Sequence, residues 1–106
     1  MDTLNLELSL PAQEAAVLAE RLLMDELEGE VLDSQEIACK SGRIILMLCM
    51  LKSLKGKGML TLLVTIDSLT GSTRLHAAGA GQGLEEGHIK SRAFTALEET
   101  FSAYNI

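Results

Sequence analysis

The feature that most constrains this fold is an unbroken apolar run, Ile44 to Leu51, with turn sequences on both sides. Ser41-Gly42 precedes the run, and a segment with two glycines, 55–58, follows it. The run is too short for a membrane-spanning helix, which needs about twenty apolar residues. It therefore predicts a buried strand over 43–53. Because successive side chains of a strand point to opposite faces, this strand is apolar on both of them.

Four other segments have the two-residue alternation or the turn boundaries of strands. Along 3–10, leucines alternate with polar residues, which predicts a half-buried strand. The segments 31–40, 59–67 and 72–79 are separated from one another and from 43–53 by short turn sequences. Connections this short join antiparallel neighbours, because a parallel crossover needs a dozen or more residues.

Two segments have helical periodicity. The first, 11–28, begins at Pro11, which suits the first turn of a helix. Gly29 stands where a left-handed residue that ends a helix is expected. The second helix is predicted over 88–104. Its apolar face consists of Ile89, Ala93, Phe94, Leu97, Phe101 and Tyr104.

These elements predict a single α+β domain over residues 1–106, in the order β-α-β-β-β-β-α. An antiparallel sheet of about five strands would carry both helices on one face, and this arrangement buries every apolar face except one. The exception is the second apolar face of 43–53, extended by Met59 and Leu63. A chain of 106 residues has no third layer to cover it. Either the sheet curls around a small interior, or its open face meets another copy.

We predict that this surplus apolar surface binds a ligand or a partner, because large exposed apolar patches mark interaction sites. A homodimer through the sheet face or an edge strand is the first hypothesis. The alternative is a small apolar, lipid-like ligand held between the sheet and the helices. The candidate residues are Ile45, Met47, Cys49, Leu51, Met59 and Leu63.

A glycine-rich segment follows the last predicted strand and precedes the last helix, which is the context of phosphate-binding loops. It departs from the G-x-G-x-x-G fingerprint, because the sixth position counted from Gly79 is Leu84. We expect a connection in which Gly79 and Gly81 end the strand at a close backbone approach or a bulge. The segment remains a candidate loop for a third hypothesis, an enzyme that would use it with His76 and His88. The loop candidates are Gly79, Gly81, Gly83, Gly87 and His88.

The chemistry of metal and covalent sites is weakly represented. His76 and His88 do not have a metal-ligand spacing, and acidic residues near a helix start are explained by the helix dipole. Cys39 and Cys49 form no CxxC pair. We therefore predict no metal, no cofactor and no catalytic residue, and we expect that the protein is not an enzyme.

Charge and composition bear on partners and location. The formal net charge of −6 disfavours nucleic acid and anionic lipid. Aromatic residues, which stack on single-stranded nucleic acid, make up only 3% of the chain. The first residues have neither a basic nor an apolar region, so no secretory signal is predicted. We expect a soluble cytoplasmic protein that binds neither nucleic acid nor membrane and acts as a non-catalytic, self-associating or protein-interaction module.

Overall fold

The computed structural model describes residues 3–53 and 56–106. It contains a five-stranded antiparallel sheet and two helices in the order β-α-β-β-β-β-α, so the predicted α+β fold is confirmed. A π-helical turn, Leu22–Glu26, continues the first helix, and a 3-10 turn, Ser102–Tyr104, follows the second. The bounds are β1 (Thr3–Leu8), α1 (Ala12–Arg21), β2 (Glu30–Cys39), β3 (Gly42–Lys52), β4 (Gly58–Asp67), β5 (Thr73–Gly83) and α2 (Glu86–Phe101).

The strand order is β1-β5-β4-β3-β2, and every neighbouring pair is antiparallel. Strands β2 to β5 form consecutive hairpins, as their short connections require. The β2–β3 hairpin closes over the two residues Lys40 and Ser41, with Gly42 at a positive φ of 146°. Strand β1 pairs with β5, with Leu4 opposite Ala77. Lys55, which belongs to the predicted turn between β3 and β4, lies outside the described residues.

Both helices pack on one face of the sheet, which we call the inner face; the opposite face is the outer face. Helix α1 contributes alanines to the core, so its backbone lies close to the strands, and α2 contributes larger side chains. In the part of the chain that the structure describes, no helix combines the length and apolar character that crossing a membrane requires. The helix residues in the core are Ala12, Ala15, Ala19, Leu22, Leu23, Ile89, Ala93, Phe94, Leu97 and Phe101.

The end of the first helix differs from the prediction. The α-helix ends at Arg21, and Glu28, not Gly29, adopts the left-handed conformation, with φ 53°. The Gly29 N–H donates to the Leu23 carbonyl at 2.7 Å. A Cβ at position 29 would overlap Leu51 Cδ2 and lie 2.8 Å from the Leu23 oxygen. Glycine is therefore needed here for close packing against β3 rather than for an unusual φ.

Candidate functional site

Strand β3 is apolar on both faces, as predicted, and the structure assigns each of its side chains to a face. Ile45, Met47, Cys49 and Leu51 point to the inner face, where each is at most 7% exposed. The intervening side chains point to the outer face and are only partly covered. This alternation follows from the two-residue period of a strand.

The six predicted ligand or interface residues therefore do not share one surface. Ile45, Met47, Cys49 and Leu51 belong to the core between sheet and helices. Met59 and Leu63 lie on the outer face, because Leu63 pairs directly with Leu48 and Met59 with Lys52. A surface that includes Met59 and Leu63 therefore contains the outward-pointing residues of β3 and not the four inward-pointing ones.

The outer face carries a continuous group of apolar side chains, which we call the apolar patch. Cross-strand pairing joins Ile37 to Ile44 and Leu48 to Leu63. Leu63 is 39% exposed and Ile37 is 49% exposed, which is high for large apolar side chains within a sheet. The patch consists of Ile37, Ile44, Leu46, Leu48, Met50, Met59 and Leu63.

Beside the patch, the β1–β5 half of the outer face carries hydrogen-bonded polar side chains, which we call the polar cluster. The Nδ1–H of His76 donates to Oδ1 of Asn5 at 2.7 Å, and Arg74 Nη2 lies 3.2 Å from Asp67 Oδ1. Ser72 Oγ donates to Glu7 Oε1 at 2.7 Å. All of these residues except Ser72 line a groove of about 420 Å³. The cluster contains Asn5, Glu7, Asp67, Arg74 and His76, and sequence analysis missed it because its members come from three strands.

Both edges of the sheet are protected against pairing with another strand. A bulge interrupts β2 between Val31 and Asp33, and β2 also carries several acidic side chains; bulges and charges are the usual protection of an edge strand. At the other edge, the Ser9 N–H donates to the Tyr104 carbonyl at 2.8 Å. The Ile106 N–H donates to the Glu7 carbonyl, also at 2.8 Å. The C-terminal segment therefore covers the last residues of β1.

The glycine-rich segment is not the predicted connection. Gly79, Gly81 and Gly83 lie in β5 and pair with residues of β4. Only Leu84 and Glu85 separate β5 from α2, which begins before Gly87. A Cβ on Gly81 would lie 2.5 Å from Cβ of Glu86. Glycine thus permits a close approach of the first turn of α2 to the sheet, and the strand backbone is hydrogen-bonded to β4.

The histidines of the enzyme hypothesis are not brought together. His76 is exposed on the outer face, whereas His88 is exposed on α2, which packs on the inner face. Within residues 3–53 and 56–106, no three His, Cys, Asp or Glu side chains group as a metal ion would need.

The two thiols have different environments. Burial, together with the nearby Glu20 carboxylate, raises the pKa of Cys49 to about 11. Its thiol is protonated at neutral pH and is a poor nucleophile. Cys39 is exposed at the end of β2, and its Sγ donates to the Gly42 carbonyl at 3.4 Å.

A second polar contact joins the first helix to the β2–β3 hairpin. Glu36 accepts hydrogen bonds from Arg43 Nη1 at 2.6 Å and from Gln13 Nε2 at 3.1 Å. These two donors hold the pKa of Glu36 below its ordinary value. Next to this contact, a groove of about 700 Å³ opens between the hairpin and the β1–α1 turn. Its lining combines Lys40, Arg43 and several serines with apolar residues such as Leu8 and Leu10, so it is a mixed groove rather than the apolar site predicted between sheet and helices.

Comparison of the chain with known protein families and with curated proteins finds no match to either.

Proposed function

We propose that the protein is a non-catalytic module that self-associates through the apolar patch on the outer face of its sheet. The observation that carries this proposal is the partial exposure of large apolar side chains on neighbouring strands, with Leu63 at 39% and Ile37 at 49%. A contiguous apolar surface of this kind is typical of a protein interface.

The size of the outer face suits a stable pair. Four of the strands have ten or eleven residues and β1 has six. With strands about 4.8 Å apart and about 3.3 Å per residue, the face measures about 760 Å². Two such faces would bury about 1,500 Å² in total, which is within the range of a standard specific interface.

The geometry favours the face over an edge strand. The bulge at Leu32 and the acidic side chains of β2 disfavour strand addition at one edge. At the β1 edge, the hydrogen bonds donated by Ser9 and Ile106 occupy part of the strand. The outer face has no comparable protection over β3 and the middle of β4.

The two alternative functions have less support. A ligand between sheet and helices would have to displace core side chains such as Cys49 and Leu62, which are 0% exposed. An enzyme based on the glycine-rich segment would need His76 and His88 together, and they lie on opposite sides of the sheet. The free thiols of Cys39 and Cys49 support a reducing, cytoplasmic location for the proposed module.

Sedimentation equilibrium at micromolar concentration tests self-association. We expect a mass of twice the 11.4 kDa chain for the wild type and of one chain for Leu63→Lys, because a buried lysine would be desolvated without a partner. Val17→Lys is the matched control: Val17 is 47% exposed but lies on α1, and this variant should remain a dimer. A wild type that sediments as one chain, or a Val17→Lys variant that dissociates as fully as Leu63→Lys, would contradict the proposal.

A further inference from the structure

We propose, building on self-association through the apolar patch, that the two copies pack outer face to outer face with their β3 strands antiparallel over one another. The two-fold axis then lies within the interface, at right angles to the strands. It passes over the cross-strand row formed by Leu48, Leu63 and Ala78. The partner is a second copy of this chain in one defined orientation.

The first argument is the off-centre position of the apolar patch. The apolar patch lies mainly on β3 and on Met59 and Leu63 of β4, whereas the polar cluster lies on β1, β5 and Asp67 at the end of β4. A closed two-fold pair uses the same surface of both copies. An axis parallel to the strands and centred on β4 would place β5 over the partner's β3. Arg74 would then lie over the partner's Ile44. That arrangement removes a guanidinium group from water without giving it a new partner, which is costly.

An axis at right angles to the strands places each strand over the same strand of the partner. Strand β3 then lies over the partner's β3, so Leu48 faces the partner's Leu48 and Leu46 faces the partner's Met50. The polar cluster remains over the β1–β5 half of the partner, where its groups keep their hydrogen bonds. Aligned packing of two sheets about 10 Å apart is a common arrangement for faces of this kind.

The second argument is charge. Lys52 is exposed on the outer face, two residues beyond Met50 at one end of β3. At the other end, Ile44 pairs with Asp67, which belongs to the row Glu7, Arg74, Asp67 with a net charge of −1. In the proposed orientation, Lys52 lies over the partner's Ile44 and next to the partner's Asp67, and this contact occurs twice. With the axis parallel to the strands, Lys52 would face the uncharged Gln82 of the partner. The proposed orientation thus matches the opposite charges at the two ends of β3, while Asp33, which pairs with Leu48 on the edge strand β2, lies opposite the partner's Asp33 at the rim of the interface.

Cysteine cross-linking tests the orientation. In a Cys39→Ser background, Leu48→Cys and Ala78→Cys variants are prepared, and each is treated with a short bismaleimide alone and in an equimolar mixture. The buried Cys49 is retained. We expect each variant to link to itself and the mixture to contain no link between positions 48 and 78. A link between 48 and 78 indicates the strand-parallel axis and overturns the inference.

The same samples separate the inference from the proposed function. A sedimentation mass of two chains without any cross-link at position 48 overturns the orientation and leaves self-association standing. A mass of one chain at all concentrations overturns both.

Charge reversal provides a second measurement. Lys52→Glu is expected to raise the dissociation constant about tenfold, because it places one glutamate beside the partner's Asp67 at each of the two symmetric contacts. Lys57→Glu is the matched control: it makes the same change in net charge at an exposed residue outside the strands. Equal effects of the two substitutions would show that net charge alone matters and would contradict the predicted contact.

Discussion

At the scale of single residues, two glycines differ in whether a side chain would fit at their position. Gly29 lies where β3 and the end of the first helix meet, and a Cβ there would be 2.8 Å from the Leu23 carbonyl oxygen. Gly87 lies in the first turn of α2, and a Cβ there would have no neighbour within 4 Å among the described atoms. The first position requires glycine, whereas the second gains nothing from it.

Gly29→Ala should lower the free energy of unfolding by about 1–3 kcal/mol, because the added methyl group overpacks the contact with Leu51. Gly87→Ala should raise it by about 0.5–1 kcal/mol, because alanine loses less backbone entropy in a helix. Urea unfolding followed by circular dichroism measures both. A Gly29→Ala variant at least as stable as the wild type would contradict the interpretation of position 29.

Two charged residues in the sequence were sufficient to assign the faces of β3 and β4. Lys52 continues the alternation of Leu48 and Met50, and Asp67 continues that of Leu63. Both charged residues mark the outward positions of their strands. The prediction instead selected Ile45, Met47, Cys49 and Leu51 of this strand, because both alternations of β3 are apolar and hydrophobicity alone cannot distinguish them.

At the scale of elements, the β2–β3 hairpin is joined to α1 by the contact of Glu36 with Arg43 and Gln13. The pKa of Glu36 is lowered from 4.5 by these two donors. A lowered pKa means that the charged carboxylate stabilises the fold above the unfolded value of 4.5, and that this contribution is lost as the pH falls through the lowered folded value.

Glu36→Gln should therefore reduce stability at neutral pH and have progressively less effect as the pH falls below 4.5. The effect is small because the pair is exposed to solvent. Chemical unfolding of the variant and the wild type across this range measures the difference. Glu98→Gln, at an exposed position of α2, is the matched control because it makes the same change in side-chain charge. A stability difference at Glu36 that does not depend on pH would contradict the role of its charge.

Elements with a strong local signal were predictable, and those that depend on distant partners were not. Periodicity and turn residues located both helices and all five strands. Gly79, Gly81 and Gly83 have little strand propensity of their own, yet they extend β5 because the backbone of β4 pairs with them from Gly58 to Leu62. The α-helix ends at Arg21 and a π-helical turn follows it, a change that no local sequence pattern indicates.

At the scale of the whole molecule, self-association couples stability to concentration. If two folded copies bind each other and unfolded chains do not, mass action stabilises the fold as the protein concentration rises. The midpoint of thermal unfolding should therefore increase with concentration for the wild type. For Leu63→Lys it should be independent of concentration.

Scanning calorimetry over a hundredfold range of concentration measures this dependence, with Val17→Lys expected to follow the wild type. Identical midpoints at all concentrations would contradict a folded dimer under these conditions.

The position of β1 has a consequence for how the chain is made. Strands β2 to β5 pair with neighbours in the chain, whereas β1 pairs with β5, the last strand. During synthesis, Leu4 and Leu8 leave the ribosome before the other four strands of this sheet, yet their partners lie on β5, which is translated last of the five. Until then, these leucines have no strand to pair with. Strand β1 is thus translated first of the five strands and paired last, and its apolar side chains stay without their sheet while β2 to β5 are made.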